Sequence, residues 1–472
     1  MGDAMRRAML LAGILGTLIA GVPSAQADTD VTRRDLSLPA SSARTESDVR
    51  HKGLPVSPAR TEARVRYEGL RLPASSARAV DTDVHYQGLR IPVPAGWEIH
   101  RLGPGSTDCL RFDRHALYLG PAGGNQRCPA HAVGRTTALH VEPLTEQTSA
   151  LVKGLLAGSG GERTGRPPGL RVKDPAAHEI RIAVPEAGAL ITGSYGPREE
   201  ELERILARIT VDPPPAEGTA GSAAGGAGGG ITGGSAERRS GVAHRRRWIK
   251  GDGFDTCNAP SLDAMHAWRG EFVAANIYIG GVSRSCPDGR LTHDWVAAVR
   301  SMGWRLIPTY VGPQAPCGPH RINFTPDSAT DDGKDSAKDA VRRARLLGLS
   351  RHSPIYFDLE AYSRHDPVCR QAVLAFIDAW TRKLRRLGYV PGIYSSLTSG
   401  IRDLAEAKGI RKPTAVWFAH WDEKADPRGD KAMERKWWPG HRRIKQYRGD
   451  HLETHGGYTL NIDNDALDGY VR

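Results

Sequence analysis

Between residues 248 and 472, strand-like and helix-like segments alternate with little interruption. "WIKGDGFDTC" is followed by the helix-like "SLDAMHAWRG", where Ser261 is a plausible N-cap. Next come "FVAANIYIGGV", the helix "LTHDWVAAVRSMG", "WRLIPTYVG" and a longer helix near 335–347. "PIYFDLEAY", the helix "VCRQAVLAFIDAWTRKLRRLG", "YVPGIYSS", the helix "GIRDLAEAKG" and "TAVWFAHWD" continue the pattern. A short helical piece near 431–438, "HRRIKQYRGD" and "YTLNIDNDAL" end it. Alternating strand and helix units imply a parallel sheet, and eight of them predict an α/β fold closed as a (β/α)8 TIM-type barrel. An open doubly wound sheet is the alternative, disfavoured because no glycine-rich phosphate fingerprint follows the first strand.

At 472 residues the chain is too long for one core, and it divides by composition. Arg6 and Arg7 precede an apolar stretch to Gly21, and Ala25 and Ala27 stand where a signal peptidase reads small residues. Residues 1–27 thus read as a signal peptide, too short to span a membrane, and the protein is expected to be secreted, extracellular or wall-associated. Residues 28–83 carry an imperfect repeat, "LPASSAR" at 38–44 and 72–78, in polar surroundings that predict little order. Residues 84–211 predict a small disulfide-bearing α+β domain, closed by the amphipathic helix "REEELERILARI". Residues 212–246 form a disordered Gly/Ala-rich linker, and 247–472 the barrel.

Of the formal net charge of +12, residues 236–250 hold +5. With export expected and no nucleic-acid module beside it, that patch suits an anionic envelope polymer better than nucleic acid; a solvated linker end is the plain alternative. The six cysteines fall two in the small domain (Cys109, Cys128) and four in the barrel (Cys257, Cys286, Cys317, Cys369). In an exported chain they read as disulfides, and no spacing suggests a metal; no cofactor is implied. Each barrel cysteine follows a strand, and neighbouring strands predict Cys257–Cys286 and Cys317–Cys369.

"SPIYFDLEAYS" (353–363) carries the chemistry. Side chains alternate along a strand, so Ile355, Phe357 and Leu359 face one way and Tyr356, Asp358 and Glu360 the other. Acids recur near the ends of other strands: Asp255, Asp422, Asp463 and Asp465. Tyr310, Tyr394, Trp417, Trp421, Gln446 and Tyr447 accompany them as candidate substrate contacts. Carboxylates among flat aromatic faces suit a sugar, and glycosidic hydrolysis needs one acid for the leaving oxygen and another to support the cationic transition state. Acids at a barrel mouth can also be structural, and Trp417 can be core; no Ser-His-Asp or Cys-His arrangement stands out.

"GFDTCNAP", "IYIGGV", "GWRLIPTYVG", "YFDLEAY", "GIYSS" and "WFAHWD", in that order over 248–472, resemble a secreted glycoside hydrolase-like domain family of unassigned activity, itself distantly similar to the family-25 lysozymes, which are peptidoglycan muramidases. The resemblance implies a catalytic set in which Glu360 is the general acid, Asp358 orients a substrate acetamido group or supports the transition state, and Asp255 and Asp463 are the acids of the first and eighth strands. "FDTC" departs from the usual strand-one pattern of those lysozymes. A wall-directed glycosidase is the leading expectation, acting on cell-wall polysaccharide. A non-catalytic glycan-binding module on the same barrel is the second, and an envelope interaction protein working through the small domain a weaker third.

Overall fold

The computed structural model describes residues 81–124, 126–146, 148, 162–165, 167–212, 247–287 and 290–472. The expected signal peptide, nearly all of the repeat segment and the linker from 213 lie outside the described residues. No described helix is long and apolar enough to cross a membrane.

The N-terminal region holds two sheets. Strands β1 (Thr82–Tyr86), β2 (Leu89–Val93) and β10 (Thr210–Val211) pair antiparallel in the order β1-β2-β10. A seven-stranded mixed sheet is built from β3 (Glu98–Arg101), β4 (Ala116–Leu119), β5 (Ala138–Pro143), β6 (Glu162–Gly165), β7 (Pro168–Asp174), β8 (Glu179–Val184) and β9 (Ala189–Ser194). Its order is β3-β4-β5-β9-β8-β7-β6. The amphipathic helix α1 (Glu199–Leu206) buries Leu202, Ile205 and Leu206. It lies so close to β9 that a Cβ on Gly193 would meet Leu202 at 2.8 Å. Its described residues are therefore mostly β.

Eight further strands close a barrel in chain order: β11 (Trp248–Asp255), β12 (Ala274–Gly280), β13 (Arg305–Tyr310), β14 (Pro354–Asp358), β15 (Val390–Ser396), β16 (Ala415–Ala419), β17 (Arg443–His455) and β18 (Tyr458–Tyr470). The strands lie where the sequence pattern puts them, but the barrel is not a (β/α)8 TIM barrel. β11 to β17 are mutually parallel, while β18 runs antiparallel to both β17 and β11. The sheet is mixed, and the reason is local. His455 pairs with Tyr458 across Gly456-Gly457, which have φ of 57° and 83°. A two-residue turn with positive φ at both positions is a hairpin turn, and it can join only antiparallel strands.

Helices follow only the first five barrel strands: α2 (Leu262–Trp268), α3 (His293–Ser301), α4 (Ala329–Leu346), α5 (Pro367–Arg386), and a short π-helix (Leu397–Ile401) running into α6 (Arg402–Glu406). α2 starts on Ser261, whose side chain accepts from the Ala264 N–H. α5 starts on Asp366, which accepts from the Val368 and Cys369 N–H groups, with Pro367 in the first turn. The expected helical piece at 431–438 is instead a chain of turns.

The alternation expected of β14 holds. Ile355, Phe357 and Leu359 pack outward among the helices, in one core with Phe376, Trp380 and the alanines of α4. Tyr356 points into the barrel, where Ile307, Tyr394, Trp417, Ile444 and Leu467 fill the lower lumen. Its hydroxyl donates to the Tyr470 carbonyl at 2.8 Å. The lower lumen is a packed apolar core, and most of the inward acids collect toward its upper rim.

The disulfides are Cys109–Cys128, Cys257–Cys286 and Cys317–Cys369, the barrel pairs being those that strand adjacency predicts. Cys317–Cys369 ties the loop after β13 to the first turn of α5 across 52 residues of sequence. Cys317→Ser with Cys369→Ser is expected to cost about 2–4 kcal/mol in a urea titration. A loss below about 1 kcal/mol would mean that the helix layer fixes this loop without the bridge.

Candidate functional site

The C-terminal ends of the parallel strands meet at one rim, and four of the expected acids converge there. Asp255 ends β11 and Asp358 ends β14; both are fully buried. Asp463 on β18 is paired in register with Asp255. Glu360 lies two residues past Asp358, just beyond the strand. Its position is set by Gln314, whose side-chain oxygen accepts from the Glu360 N–H at 2.8 Å while its amide donates to the Asp358 carbonyl at 2.8 Å. The buried Gln314 thus clamps the backbone that carries both acids.

Gln446 on β17 links the other two. Its amide nitrogen donates to Asp255 at 2.9 Å and to Asp463 at 3.1 Å, and its oxygen accepts from the Tyr394 hydroxyl and the Trp421 indole N–H, both at 2.9 Å. The Asp450 N–H donates to the second Asp463 oxygen. Trp421 is 61% exposed and presents an open indole face at the rim.

Three of the expected contacts lie elsewhere. Tyr310 turns outward, and its hydroxyl donates to Asp339 on α4 at 3.0 Å. Tyr447, next to the inward Gln446, lines an outer cavity of about 580 Å³ with Asp252, Glu271 and Glu453. Trp417 is core: its indole N–H donates to Asp465 at 2.6 Å below the rim, and its ring packs edge-on against Tyr394. Asp422 belongs to a separate cluster in which Lys445 reaches Asp422 at 2.6 Å and Asp430 at 2.9 Å, with His420 on Asp430 at 2.6 Å.

One residue at the rim comes from the N-terminal region. His131 sets its Nε2 2.9 Å from Glu360 Oε1 and 3.5 Å from Asp358, and its Nδ1 2.5 Å from the Tyr278 hydroxyl. Tyr278, on β12, in turn donates to Asp255 at 3.2 Å. Nothing local in "CPAHAVG" marks His131, because its partner is 229 residues away. Tyr278 was within reach of sequence reasoning: Ala274, Asn276 and Tyr278 share one face of β12 by alternation.

The electrostatics follow from many acids meeting one imidazole. Burial, with Asp463 close by, raises Asp255 well above the carboxylate range, and burial raises Asp463 to about 6. Burial also raises Asp358 strongly, and nearby Glu360 adds to it. No donor group is bonded to the Asp358 oxygens, so Asp358 and Glu360 interact favourably only when one keeps a proton. Burial works against the charge on His131 too, but Asp358 and Glu360 outweigh it and push the imidazole up to about 10. The resulting imidazolium overcomes the burial of Glu360 and holds that carboxyl below its ordinary value. With His131 in place, burial favours a proton on Asp358 while the imidazolium favours the ionised form of Glu360.

His131, Asp358 and Glu360 offer donor atoms within 4.8 Å of one another, as do His420, Asp422 and Asp430. The second group already encloses the Lys445 ammonium, and the protonated His131 supplies the cation of the first.

Residues 266–467 match the profile of the Rv2525c-like, glycoside hydrolase-like domain. Over those residues the barrel is similar to that glycoside hydrolase-like domain. No curated protein matches the chain. Solved structures similar to it include an uncharacterized protein of B. stearothermophilus (18% identity, 46% of this chain and 95% of that one, TM-score 0.34). Another is the Tat-secreted protein Rv2525c of Mycobacterium tuberculosis (14%, 46% and 95%, TM-score 0.33). The modular autolysin LytC of Streptococcus pneumoniae is similar at 12%, over 46% of each chain, with a TM-score of 0.32.

Proposed function

We propose that this protein is exported and that its barrel hydrolyses a glycosidic bond of a peptidoglycan-like wall glycan at the acid-lined rim. The observation that carries the reading is the pair Asp358 and Glu360, set side by side by β14 and the Gln314 clamp, with Asp255, Asp463 and Gln446 around them. Glu360 would protonate the leaving oxygen. Asp358, buried and able to hold a proton, would orient an acetamido group or, once ionised, support the developing positive charge. The three disulfides suit an oxidising compartment outside the cytosol.

A specific observation also favours a second reading, a non-catalytic glycan-binding barrel: Asp358 is sealed from solvent and Glu360 is already paired. Incubating the protein with purified peptidoglycan and counting new reducing ends separates the two. Release of reducing ends supports hydrolysis; retention on the polymer with none released supports the binder.

In either reading Trp421 is the stacking face. Trp421→Ala is expected to weaken oligosaccharide binding by about 0.5–1.5 kcal/mol, roughly 2–10-fold, without lowering the melting temperature. Unchanged affinity in a titration would remove Trp421 from the substrate path.

A further inference from the structure

We infer that residues 128–135 of the N-terminal region are a built-in occupant of the barrel mouth, with His131 standing where a substrate would meet Glu360. The inference rests on the glycan reading of this rim and concerns how access to it is controlled.

A general acid must come within about 2.6–3.2 Å of the oxygen it protonates. In this structure that place beside Glu360 Oε1 is taken by His131 Nε2 at 2.9 Å. Asp358 behind it is fully buried, and the Glu360 side chain is only 23% exposed. No sugar oxygen can take that place until the imidazole leaves. The insertion is held on both sides of His131. On one side the Ala130 N–H donates to Asp450 at 3.0 Å, and Asn258 donates to the Cys128 sulfur at 3.1 Å. On the other, Val133 bridges antiparallel to Arg284, the Gly134 N–H donates to the Ser283 carbonyl at 2.8 Å, and Arg135 donates to the Arg284 carbonyl at 2.7 Å. The Cys109–Cys128 and Cys257–Cys286 disulfides lie in one buried cluster beneath the segment, so its base is stiff on both partners. These anchors hold a positive charge over a rim of carboxyls, as a bound cationic ligand would sit.

The segment therefore acts as an intramolecular competitor. It keeps the rim closed until the segment is displaced. The closed state also withholds the proton that Glu360 needs, because Glu360 is ionised against the imidazolium.

The test uses full-length wild type, His131→Ala and His131→Gln, each checked by thermal melting. The first readout needs no glycan: carbodiimide coupling of glycine ethyl ester to Glu360, followed by peptide mass spectrometry. At least tenfold faster labelling in His131→Ala, with His131→Gln between it and wild type, is expected. Equal labelling of the three folded proteins overturns the inference. The second readout is binding of chitooligosaccharides and release of reducing ends from peptidoglycan, both expected to rise in His131→Ala. Faster labelling with loss of wild-type turnover would make His131 a working member of the site and overturn its role as an occupant. Faster labelling with neither binding nor cleavage by any of the three leaves the occupant in place and removes the glycan reading instead.

Discussion

Replacing Glu360 with Gln is expected to leave the fold unchanged and to cut release of reducing ends from peptidoglycan by roughly 10²–10⁴-fold, the usual contribution of a positioned acid. The side chain keeps its length, so its oxygen still accepts from His131, and its backbone N–H remains on Gln314. What is lost is a proton that can be given away. Because the wild type pairs Glu360 with an imidazolium, the comparison is best made in both the wild-type and the His131→Ala backgrounds. The loss should be larger in the second, where the acid is free to regain its proton. Asp358→Asn should also abolish turnover, but with little cost in stability, since a carboxyl raised by burial is already neutral in the fold. Glu360→Gln retaining more than about a tenth of the parent turnover would move the acid role elsewhere on the rim.

The rim was legible where the signal was local. Alternation on β14 placed Asp358 inward and Ile355 and Phe357 against the helices, because period two is imposed by the backbone. The same rule fails beyond a strand end: Glu360 is held by Gln314, a side chain from another loop. Tyr310 and Tyr447 were assigned to the mouth by closeness to a strand terminus, whereas alternation sends Tyr447 out as surely as it sends Gln446 in. His131 could not be read at all, since an ion pair between residues 131 and 360 leaves no periodicity. The mixed character of the barrel, by contrast, was written in "THGGYT": two strand-like runs around Gly-Gly mark a hairpin. Counting eight strands and assuming eight crossovers passed over that turn.

The largest stability effect is expected at the place where a helix is missing. Between β16 and β17 the chain runs through turns, so its carbonyls have no helical partners. Arg443, fully buried at the start of β17, supplies the donors. Its guanidinium donates to the carbonyls of Trp437 and Trp438 at 3.0 and 3.3 Å, Pro427 at 3.3 Å, and Glu434 and Arg435 at 2.7 and 3.1 Å. One planar fork thereby does the work of a helical ladder, at the cost of burying a cation, which pulls its pKa down to about 10. The segment it gathers carries Met433, Trp437 and Trp438 into the outer core, and Asp430 toward Lys445. Arg443→Met fills similar volume but leaves those carbonyls buried without donors, and should cost about 3–5 kcal/mol. Arg443→Lys should recover only a small part, because three donors on one point cannot serve carbonyls spread from 427 to 438. Urea titration followed by tryptophan fluorescence reads both the stability and the release of Trp437 and Trp438. A loss under about 1 kcal/mol would mean that the two indoles, not the guanidinium, hold this connection. Glycan binding should fall with the fold in Arg443→Met, as Trp421 opens the same connection, whereas Glu360→Gln should lose turnover alone.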